Sequence, residues 1–301
     1  MAKKKRRSML YIPGNNPAMV QQAGVYGCDA VLLDLEDAVA LNQKDAARIL
    51  VRSMLKTVNF YKTEVCVRVN NLQTPFGLAD LEEIVPMQPD NIRFPKTESV
   101  QDVRDFMKEV RRIEKEHDIK DPKMTIHVMI ETAKGVANVY DIASCEPRID
   151  AITIGGQDLT ADMGIIKTPD GAGIDYARKR IVMAGKANNL DVLDTVFADV
   201  NDEEGLKEET EYIKKLGFAG KALINPRQID PVHEVFNPSE KEIRKAYRVY
   251  SEFYKNTKAG IGVFAIDGKM IDAPVVQRAI TVLEYANIDI KDIEKSVDLS
   301  D

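Results

Sequence analysis

Eight short apolar runs, separated by helix-like stretches, constrain the fold of this chain more than any other feature of its sequence. The stretches between them, such as residues 44–58 and 99–118, have helical periodicity. Eight strand–helix alternations predict a closed TIM (β/α)8 barrel, and the lack of a G-x-G-x-x-G loop disfavours an open doubly wound sheet. The runs are SMLYIP (8–13), AVLLDLE (30–36), EVCVRVN (64–70), NIRFP (91–95), TIHVMIE (125–131), AITIGG (151–156), DVLDTV (191–196) and KALINP (221–226).

The pattern changes after about residue 235. Residues 238–256 predict an amphipathic helix with a capping box at its start, 261–274 a β-hairpin, and 274–288 a second amphipathic helix. We therefore expect a barrel domain over residues 1–235 and a C-terminal helix–hairpin–helix extension over 236–301. The extension is large enough to act as a lid or as an oligomer contact.

Composition disfavours several classes of protein. The formal net charge of -6 argues against a nucleic-acid binder, because neutralising phosphates requires a basic face. No uncharged apolar segment approaches the ~20 residues that span a membrane. The three cysteines, Cys28, Cys66 and Cys145, are widely spaced. This spacing is typical of reduced residues in a cytoplasmic protein rather than of a disulfide framework or a zinc site.

The chain begins MAKKKRR (1–7), directly before the first predicted strand. We expect a solvated basic tail. The alternative is that Arg6 or Arg7 helps to bind phosphate groups of a ligand at the barrel.

Polar residues follow the predicted strands. In a (β/α)8 barrel the reactive groups lie at the carboxyl ends of the strands and on the loops that come next. The second run ends in DLED (34–37), the third in RVN (68–70) and the fifth on Glu131, while the sixth leads into GGQD (155–158) and the eighth reaches Asn225. These strand ends are the predicted site, with Asn225 as a predicted substrate contact.

Strand alternation predicts which of these side chains point into the barrel. Val65, Val67 and Val69 share one face of the third run, so Arg68 lies on the other. If the valines contact the helices, Arg68 points inward near the barrel mouth. The same argument places Glu131 inward at the end of the fifth run.

Asp34, Glu36 and Asp37 are a dense group of carboxylates at one strand end. Alternation puts Asp34 and Glu36 on one face and Asp37 on the other. We interpret these acids as groups that bind the water ligands of a metal ion, one of them serving as a general base. Asp37 fits equally well as an acid at the start of a helix.

Glu131 and Asp158 end neighbouring predicted strands. Together they offer oxygen ligands to one Mg²⁺ and leave positions for water and for a chelating α-hydroxy or α-keto acid. Arg68 is then predicted to hold a substrate carboxylate or an enolate oxygen that gains charge. The alternative is that Glu131 and Asp158 are ordinary loop acids and that Arg68 forms an internal salt bridge.

Several motifs resemble one known family. They are residues 6–70 (RRSMLYIPGNNPAM to VCVRVN), MIETAKGV (129–136), GGQDLTADMG (155–164) and GKMIDAPVV (268–276). In this order they resemble the citrate lyase beta-subunit family, the citryl-CoA lyase type of the HpcH/HpaI aldolase superfamily. The resemblance implies a TIM barrel, Mg²⁺ held by Glu131 and Asp158, and substrate contacts from Arg68 and Glu131. It also implies that Asp272 lies on a segment covering the site of a neighbouring subunit.

The reaction implied by the resemblance is a retro-Claisen cleavage. A citryl thioester, carried on an acyl carrier protein or on CoA, would yield oxaloacetate and an acetyl thioester. Arg68 would stabilise negative charge, an unidentified base would take the hydroxyl proton, and Asp272 would protonate the enolate carbon. Citrate lyase alpha and gamma (acyl carrier) subunits are the implied partners, and a homotrimer or larger complex is the expected assembly.

Three alternatives stay open at this point. A malyl-CoA or citramalyl-CoA lyase would use the same metal and the same arginine. A pyruvate-type aldolase would act on free acids, without a thioester carrier. A non-catalytic assembly subunit would use the barrel as a scaffold, although Arg68, Glu131, Asp158 and Asp272 together argue against that function.

Overall fold

The computed structural model describes residues 5–166, 168 and 171–298. The chain divides into two compact units, Met1–His233 and Glu234–Asp301. Residues 1–4 of the predicted basic tail and the last three residues of the predicted extension lie outside the described part. Within the described part, no helix combines the length and the apolar character needed to cross a membrane.

The first unit is a closed barrel in which eight parallel strands pair in sequence order and the first pairs with the last. The predicted barrel is therefore confirmed, with a strand in each of the eight apolar runs. The strands are β1 (Ser8–Pro13), β2 (Ala30–Asp34), β3 (Glu64–Arg68), β4 (Asn91–Phe94), β5 (Thr125–Ile130), β6 (Ile149–Ile154), β7 (Asp191–Asp194) and β8 (Gly220–Leu223).

Helices surround the strands and cover their outward faces. Helix α4 begins with a capping box in which the Ser99 side chain accepts from the Asp102 amide, and it buries one apolar stripe against the barrel. The helices of this unit are α1 (Pro17–Gln21), α2 (Lys44–Thr57), α3 (Gly77–Ile84), α4 (Val100–Glu116), α5 (Ala133–Ser144), α6 (Gly156–Asp162), α7 (Asp175–Ala187), α8 (Glu203–Leu216) and α9 (Ile229–Phe236), the last of which extends past the unit boundary.

The strands are apolar on both faces because both faces are buried. A cluster that includes Met9, Leu32 and Cys66 packs together, with Tyr11 against it. Arg93 and His127 are exceptions, because they are polar and fully buried within β4 and β5. The polar clusters described below lie towards the two ends of the strands.

The second unit has its own small core. Helix α10 (Glu240–Lys258) starts at the predicted Ser239–Glu242 capping box, and strands β9 (Phe264–Ile266) and β10 (Lys269–Ile271) form the predicted hairpin. Asp267 and Gly268 both have positive φ, as a tight hairpin turn requires. Helix α11 (Ala273–Tyr285) follows as predicted, whereas helix α12 (Ile290–Asp298) was not predicted.

Candidate active site

Asp34 organises the loop that leaves β2. Its carboxylate is fully buried and accepts hydrogen bonds from the amides of Glu36 and Ala38, each at 3.0 Å. The chain consequently turns directly after Asp34, and β2 ends there. The β2–α2 loop (residues 35–43) is thereby folded back over the strand end.

Arg68, the last residue of β3, binds three carboxylates at this strand end. Its Nε and Nη2 donate to the two oxygens of Asp34 at 2.7 and 2.6 Å. Its Nη1 lies 2.8 Å from Glu36 Oε2 and 3.4 Å from Asp37 Oδ2. The guanidinium also lies over the Tyr11 ring, 5.2 Å from the centroid. Arg68 thus points inward, as alternation predicts.

The prediction that Asp37 lies on the opposite face from Asp34 and Glu36 is wrong. All three acids contact the same guanidinium. Alternation applies only within a strand, and β2 ends at Asp34. The backbone turn that Asp34 stabilises is what brings Asp37 to Arg68.

Glu131 follows β5 and is fully buried. Its Oε1 accepts from the amide of Lys96 at 2.6 Å, while its Oε2 has no hydrogen-bond partner among the described residues. Burial raises the pKa of Glu131 to about 8, with smaller contributions from the charges of Glu36 and Asp158. The ionised carboxylate is thus costly unless a cation approaches Oε2.

Two glycines bring Asp158 close to Glu131. The Gly155 amide donates to the Ile130 carbonyl at 2.9 Å, and a Cβ atom on Gly155 would lie 2.5 Å from Glu131 Oε2. Helix α6 begins at Gly156, which places the half-buried Asp158 in its first turn. The charge of Asp158 acts on Glu131, so the two acids share one electrostatic environment.

Lys96 is a site residue that the sequence analysis missed. It adopts a left-handed conformation, with φ of 50°, that directs its amide to Glu131. Its Nζ lies 3.5 Å from Glu36 Oε1. Lys96 follows the end of β4 by two residues, so the rule about strand ends would have identified it had it been applied to the fourth run.

The site carries an excess of negative charge. Burial raises the pKa of Glu36 to about 7, although the charge of Arg68 acts in the opposite direction. Arg68, Lys96 and the ammonium of buried Lys44 face five carboxylates, those of Asp34, Glu36, Asp37, Glu131 and Asp158. Glu131 Oε2, which has no hydrogen-bond partner in the described part of the chain, and neighbouring Asp158 therefore fit a divalent cation with oxygen ligands.

The two remaining predicted site residues have capping roles. Asn225 Oδ1 accepts from the Arg227 amide at 3.0 Å and caps a short 3-10 helix after β8. Asp272, in the second unit, caps α11 by accepting from the Val275 amide at 3.1 Å. The substrate contact of Asn225 and the catalytic function of Asp272 stay predictions.

A second polar cluster lies at the opposite ends of the strands. Glu64, His127 and Asp150 hold potential ligand atoms within 4.8 Å of one another. The guanidinium of Arg6 already binds this cluster, at 2.7 Å from Glu64 and 2.6 Å from Asp150, and it lies 3.3 Å from Asp191. The acids of this cluster are therefore already paired with a cation from the protein itself.

Both predictions for Arg6 and Arg7 are wrong: these arginines neither form a solvated tail nor bind phosphate groups of a ligand. Arg6 is buried at the amino ends of the strands, far along the barrel axis from Glu131, and Arg7 pairs with Asp29 at 2.6 Å. Periodicity did not indicate this arrangement, because the acids that bind Arg6 are widely separated in sequence.

The chain is similar to known proteins in sequence and in structure. The profile of the HpcH/HpaI aldolase/citrate lyase family matches residues 7–226. The chain is 44% identical to citrate lyase subunit beta of Leuconostoc mesenteroides subsp. cremoris, over 94% of this chain and 93% of that protein. It is 33% identical to mitochondrial citramalyl-CoA lyase of Rattus norvegicus, over 93% of this chain and 86% of that protein.

Among solved structures, the chain is similar to protein CitE from Mycobacterium tuberculosis in complex with magnesium, acetoacetate and coenzyme A. The TM-score is 0.75 at 28% identity, covering 94% of this chain and 98% of the other. The similarity extends well beyond the barrel residues matched by the family profile.

Proposed function

Because the chain belongs to the HpcH/HpaI aldolase/citrate lyase family, we propose that it is a Mg²⁺-dependent carbon–carbon lyase of the citrate lyase beta-subunit type. It cleaves a citryl thioester to oxaloacetate and an acetyl thioester. The observation that carries this proposal is the buried Glu131 oxygen for which the described residues provide no donor, beside Asp158 and within the same charge cluster as Arg68.

Glu131 and Asp158 would hold the metal ion. When bound, Mg²⁺ supplies Lewis-acid polarisation of the substrate oxygen that becomes the keto oxygen. The magnesium in the similar CitE complex supports this assignment. Glu131 offers an oxygen with no donor among residues 5–166, 168 and 171–298, and Asp158 offers a half-buried carboxylate that solvent and substrate can reach.

The protein residues divide the remaining chemistry. A base takes the proton of the tertiary hydroxyl, the bond between the hydroxyl carbon and the thioester methylene breaks, and the electron pair passes to the thioester enolate. Glu36 is a candidate base because it is buried against Arg68 and has a raised pKa. Arg68 offers its Nη1 to the substrate carboxylate, because Asp34 already holds its Nε and Nη2. Asp272 of a neighbouring subunit then protonates the enolate carbon.

The thioester carrier and the assembly are part of the same proposal. The similar CitE complex contains coenzyme A, and relatives named as a citrate lyase subunit support a multi-subunit enzyme. We assign an acyl carrier protein or CoA as the carrier and citrate lyase alpha and gamma subunits as partners. A homotrimer or larger assembly in the cytoplasm is proposed, with residues 236–301 acting as the lid or the oligomer contact.

A panel of citryl, malyl and citramalyl thioesters tests the proposal directly. Oxaloacetate release from the citryl thioester should be fastest and should stop on addition of EDTA. Glu131→Gln and Asp158→Asn should each abolish release, whereas Asp141→Asn, at an exposed acid on α5, should leave it unchanged. Cleavage in EDTA, or full activity of both metal-site variants, would contradict the metal assignment.

Citramalyl-CoA lyase is the second candidate, favoured by the relative at 33% identity. Citramalate has a methyl group where citrate has a carboxymethyl group, so the two thioesters present the same hydroxyl and carboxylate to the metal and Arg68. A higher kcat/KM for the citramalyl thioester in the same panel would select this alternative. No cleavage of any thioester would leave the free-acid aldolase and the scaffold function as alternatives.

A further inference from the structure

Four buried polar side chains lie next to the β2–α2 loop, which carries Glu36, and next to the end of β3, which carries Arg68. They come from α2, from α3 and from the residue two positions after Arg68, and none of them contacts Glu131. We call them the loop clamp: Lys44, Arg48, Asn70 and Asp80. All are at most 8% exposed, so burial of their charges requires specific partners.

Lys44 satisfies all three ammonium protons with acceptors on two different loops. Its Nζ donates to the carbonyls of Leu35 and Glu36 at 2.9 and 2.6 Å. The third proton goes to Asn70 Oδ1 at 2.9 Å. The two carbonyls belong to the β2–α2 loop, and each also accepts from a second donor, Asn70 Nδ2 for Leu35 and the Val39 amide for Glu36. The ammonium adds a link from helix α2 to both loops.

Asn70 joins the other side of the clamp to Arg68. Its Nδ2 donates to the Leu35 carbonyl at 2.8 Å and to Asp80 Oδ2 at 2.6 Å. Its backbone amide donates to the same Asp80 oxygen at 2.9 Å, and Arg48 Nε donates to Asp80 Oδ1 at 2.7 Å. The backbone after Arg68 is thus fixed to the backbone before Glu36.

We propose that the loop clamp is a set of positioning residues, with Lys44 at its centre, that holds Glu36 against Arg68. This inference rests on the proposed function, in which those two groups contact the substrate. Asp34 fixes the start of the β2–α2 loop from inside the barrel, whereas Lys44 fixes the carbonyls of Leu35 and Glu36 from the helix side. The Glu36 side chain is held between these two attachments.

Lys44→Met tests the proposal, because methionine keeps the length of the side chain and removes its three donors. Hydrogen exchange at the amides of residues 35–38 should rise at least tenfold, since the carbonyls of Leu35 and Glu36 each lose one of their donors. kcat for the citryl thioester should fall about 10²-fold, the scale associated with ~1 Å misplacement of reacting groups, while Mg²⁺ affinity should stay unchanged.

Arg148→Met is the matched control. Arg148 also donates to a backbone carbonyl, that of Met124 at 2.6 Å, and pairs with Glu114, but it lies at the start of β6. This variant should lower the melting temperature without raising exchange at residues 35–38 and without changing kcat. If both variants lower kcat equally, the clamp has only a general structural role.

A double-mutant cycle with Glu36→Gln separates positioning from stability. If Lys44 acts through Glu36, Lys44→Met should lower kcat by less than about threefold in the Glu36→Gln background. An equal fold-change in both backgrounds would overturn the proposal. Should Lys44→Met not fold, Asn70→Ser removes the carboxamide that joins Lys44, Leu35 and Asp80, and the same results are expected.

The exchange measurement also separates this inference from the proposed function. A wild-type chain that cleaves no thioester contradicts the proposed function alone. The loop clamp is then tested by comparing Lys44→Met with the wild type in hydrogen exchange at residues 35–38 and in oxaloacetate affinity in Mg²⁺. Unchanged exchange in Lys44→Met overturns the clamp whatever the activity of the wild type.

Discussion

Arg68 shows how a single residue is prepared for anion binding. Fully buried Asp34 holds two nitrogens of its guanidinium in a fork, which fixes the plane of the group. The third nitrogen faces Glu36 and the more exposed Asp37. A substrate carboxylate therefore meets a guanidinium whose orientation is already set, and it competes only with Glu36 and Asp37.

Glu131 makes the stability of the metal-free protein depend on pH. Its folded-state pKa of about 8 lies above the ordinary glutamate value of 4.5. Ionisation is therefore disfavoured in the folded state, and stability is lost as pH rises from about 4.5 through about 8. In EDTA at pH 9, Glu131→Gln should be more stable than the wild type by at least about 1 kcal/mol.

Urea denaturation at pH 4.5 and pH 9 measures this difference. The two proteins should have similar free energies of unfolding at pH 4.5, and saturating Mg²⁺ at pH 9 should stabilise only the wild type. A Glu131→Gln variant that is less stable than the wild type at pH 9 in EDTA would show that the carboxylate is already compensated within the protein.

Residue-level prediction succeeded for Arg68, which is the last residue of β3 and therefore follows the alternation of that strand. Glu131 directly follows β5, so alternation reaches it only by extension. The rule about strand ends could have identified Lys96 by its position, but not its contact to Glu131, which is made by a backbone amide in a left-handed conformation. Such a contact depends on φ, which the identity of a lysine does not reveal.

At the scale of elements, the barrel keeps two charged clusters at opposite strand ends. Arg6 precedes β1 and binds acids at the starts of β3, β6 and β7. Although burial acts in the opposite direction, the charges of His127 and then Arg6 lower the pKa of Asp150 below its ordinary range. This cluster therefore contributes stability above the ordinary aspartate pKa of 3.8 and loses it as pH falls.

Arg6→Met should destabilise the protein by about 3–5 kcal/mol at pH 7, because it leaves buried Glu64 and half-buried Asp150 without their counter-ion. The loss should be smaller at pH 3. Urea denaturation at both pH values provides the measurement.

Arg112→Met is the control for Arg6→Met. Arg112 pairs with three glutamates on an exposed surface, and exposed ion pairs contribute about 0–1 kcal/mol. Equal losses in the two variants would mean that the buried cluster is not specifically stabilised by Arg6.

The order of elements was readable from sequence, whereas their ends were not. Each apolar run became a strand because parallel strands are buried on both faces. The run AVLLDLE suggested a strand to residue 36, but the Asp34 carboxylate captures the amides of Glu36 and Ala38 and ends β2 two residues earlier. Local side-chain hydrogen bonds of this kind compete with the sheet.

At the scale of the whole molecule, catalysis is proposed to require more than one copy of the chain. Glu131 belongs to the first unit and Asp272 to the second. Asp272→Asn removes the acid but keeps the N-cap of α11, because asparagine caps helices as well as aspartate does. We expect Asp272→Asn and Glu131→Gln to be inactive alone and to recover citryl-thioester cleavage after mixing and reassembly.

The control for this complementation is a mixture of Glu131→Gln and Asp158→Asn. Both changes alter the barrel mouth, so every chain in the mixed assembly has a defective metal site although its Asp272 is intact. Recovery in this control, or no recovery in the first mixture, would place Asp272 outside the site of a neighbouring subunit.

The barrel was predictable as a whole because its periodicity repeats, and repetition makes each strand support the identification of the others. The second unit offers no such repetition, and α12 was accordingly missed. The network of Arg6 was missed for a related reason: its partners lie 58 and 144 residues away along the chain, and charge alone does not indicate which acids meet.

The close packing of Gly155 against Glu131 has a consequence for comparing the sequences of related genes. Even one methyl group at position 155 would collide with the carboxylate, at 2.5 Å. A lineage that acquires alanine there must shift the Glu131 carboxylate, the proposed metal ligand. We therefore expect alanine at this position to mark paralogues that retain the barrel without the proposed metal site, before any assay is run.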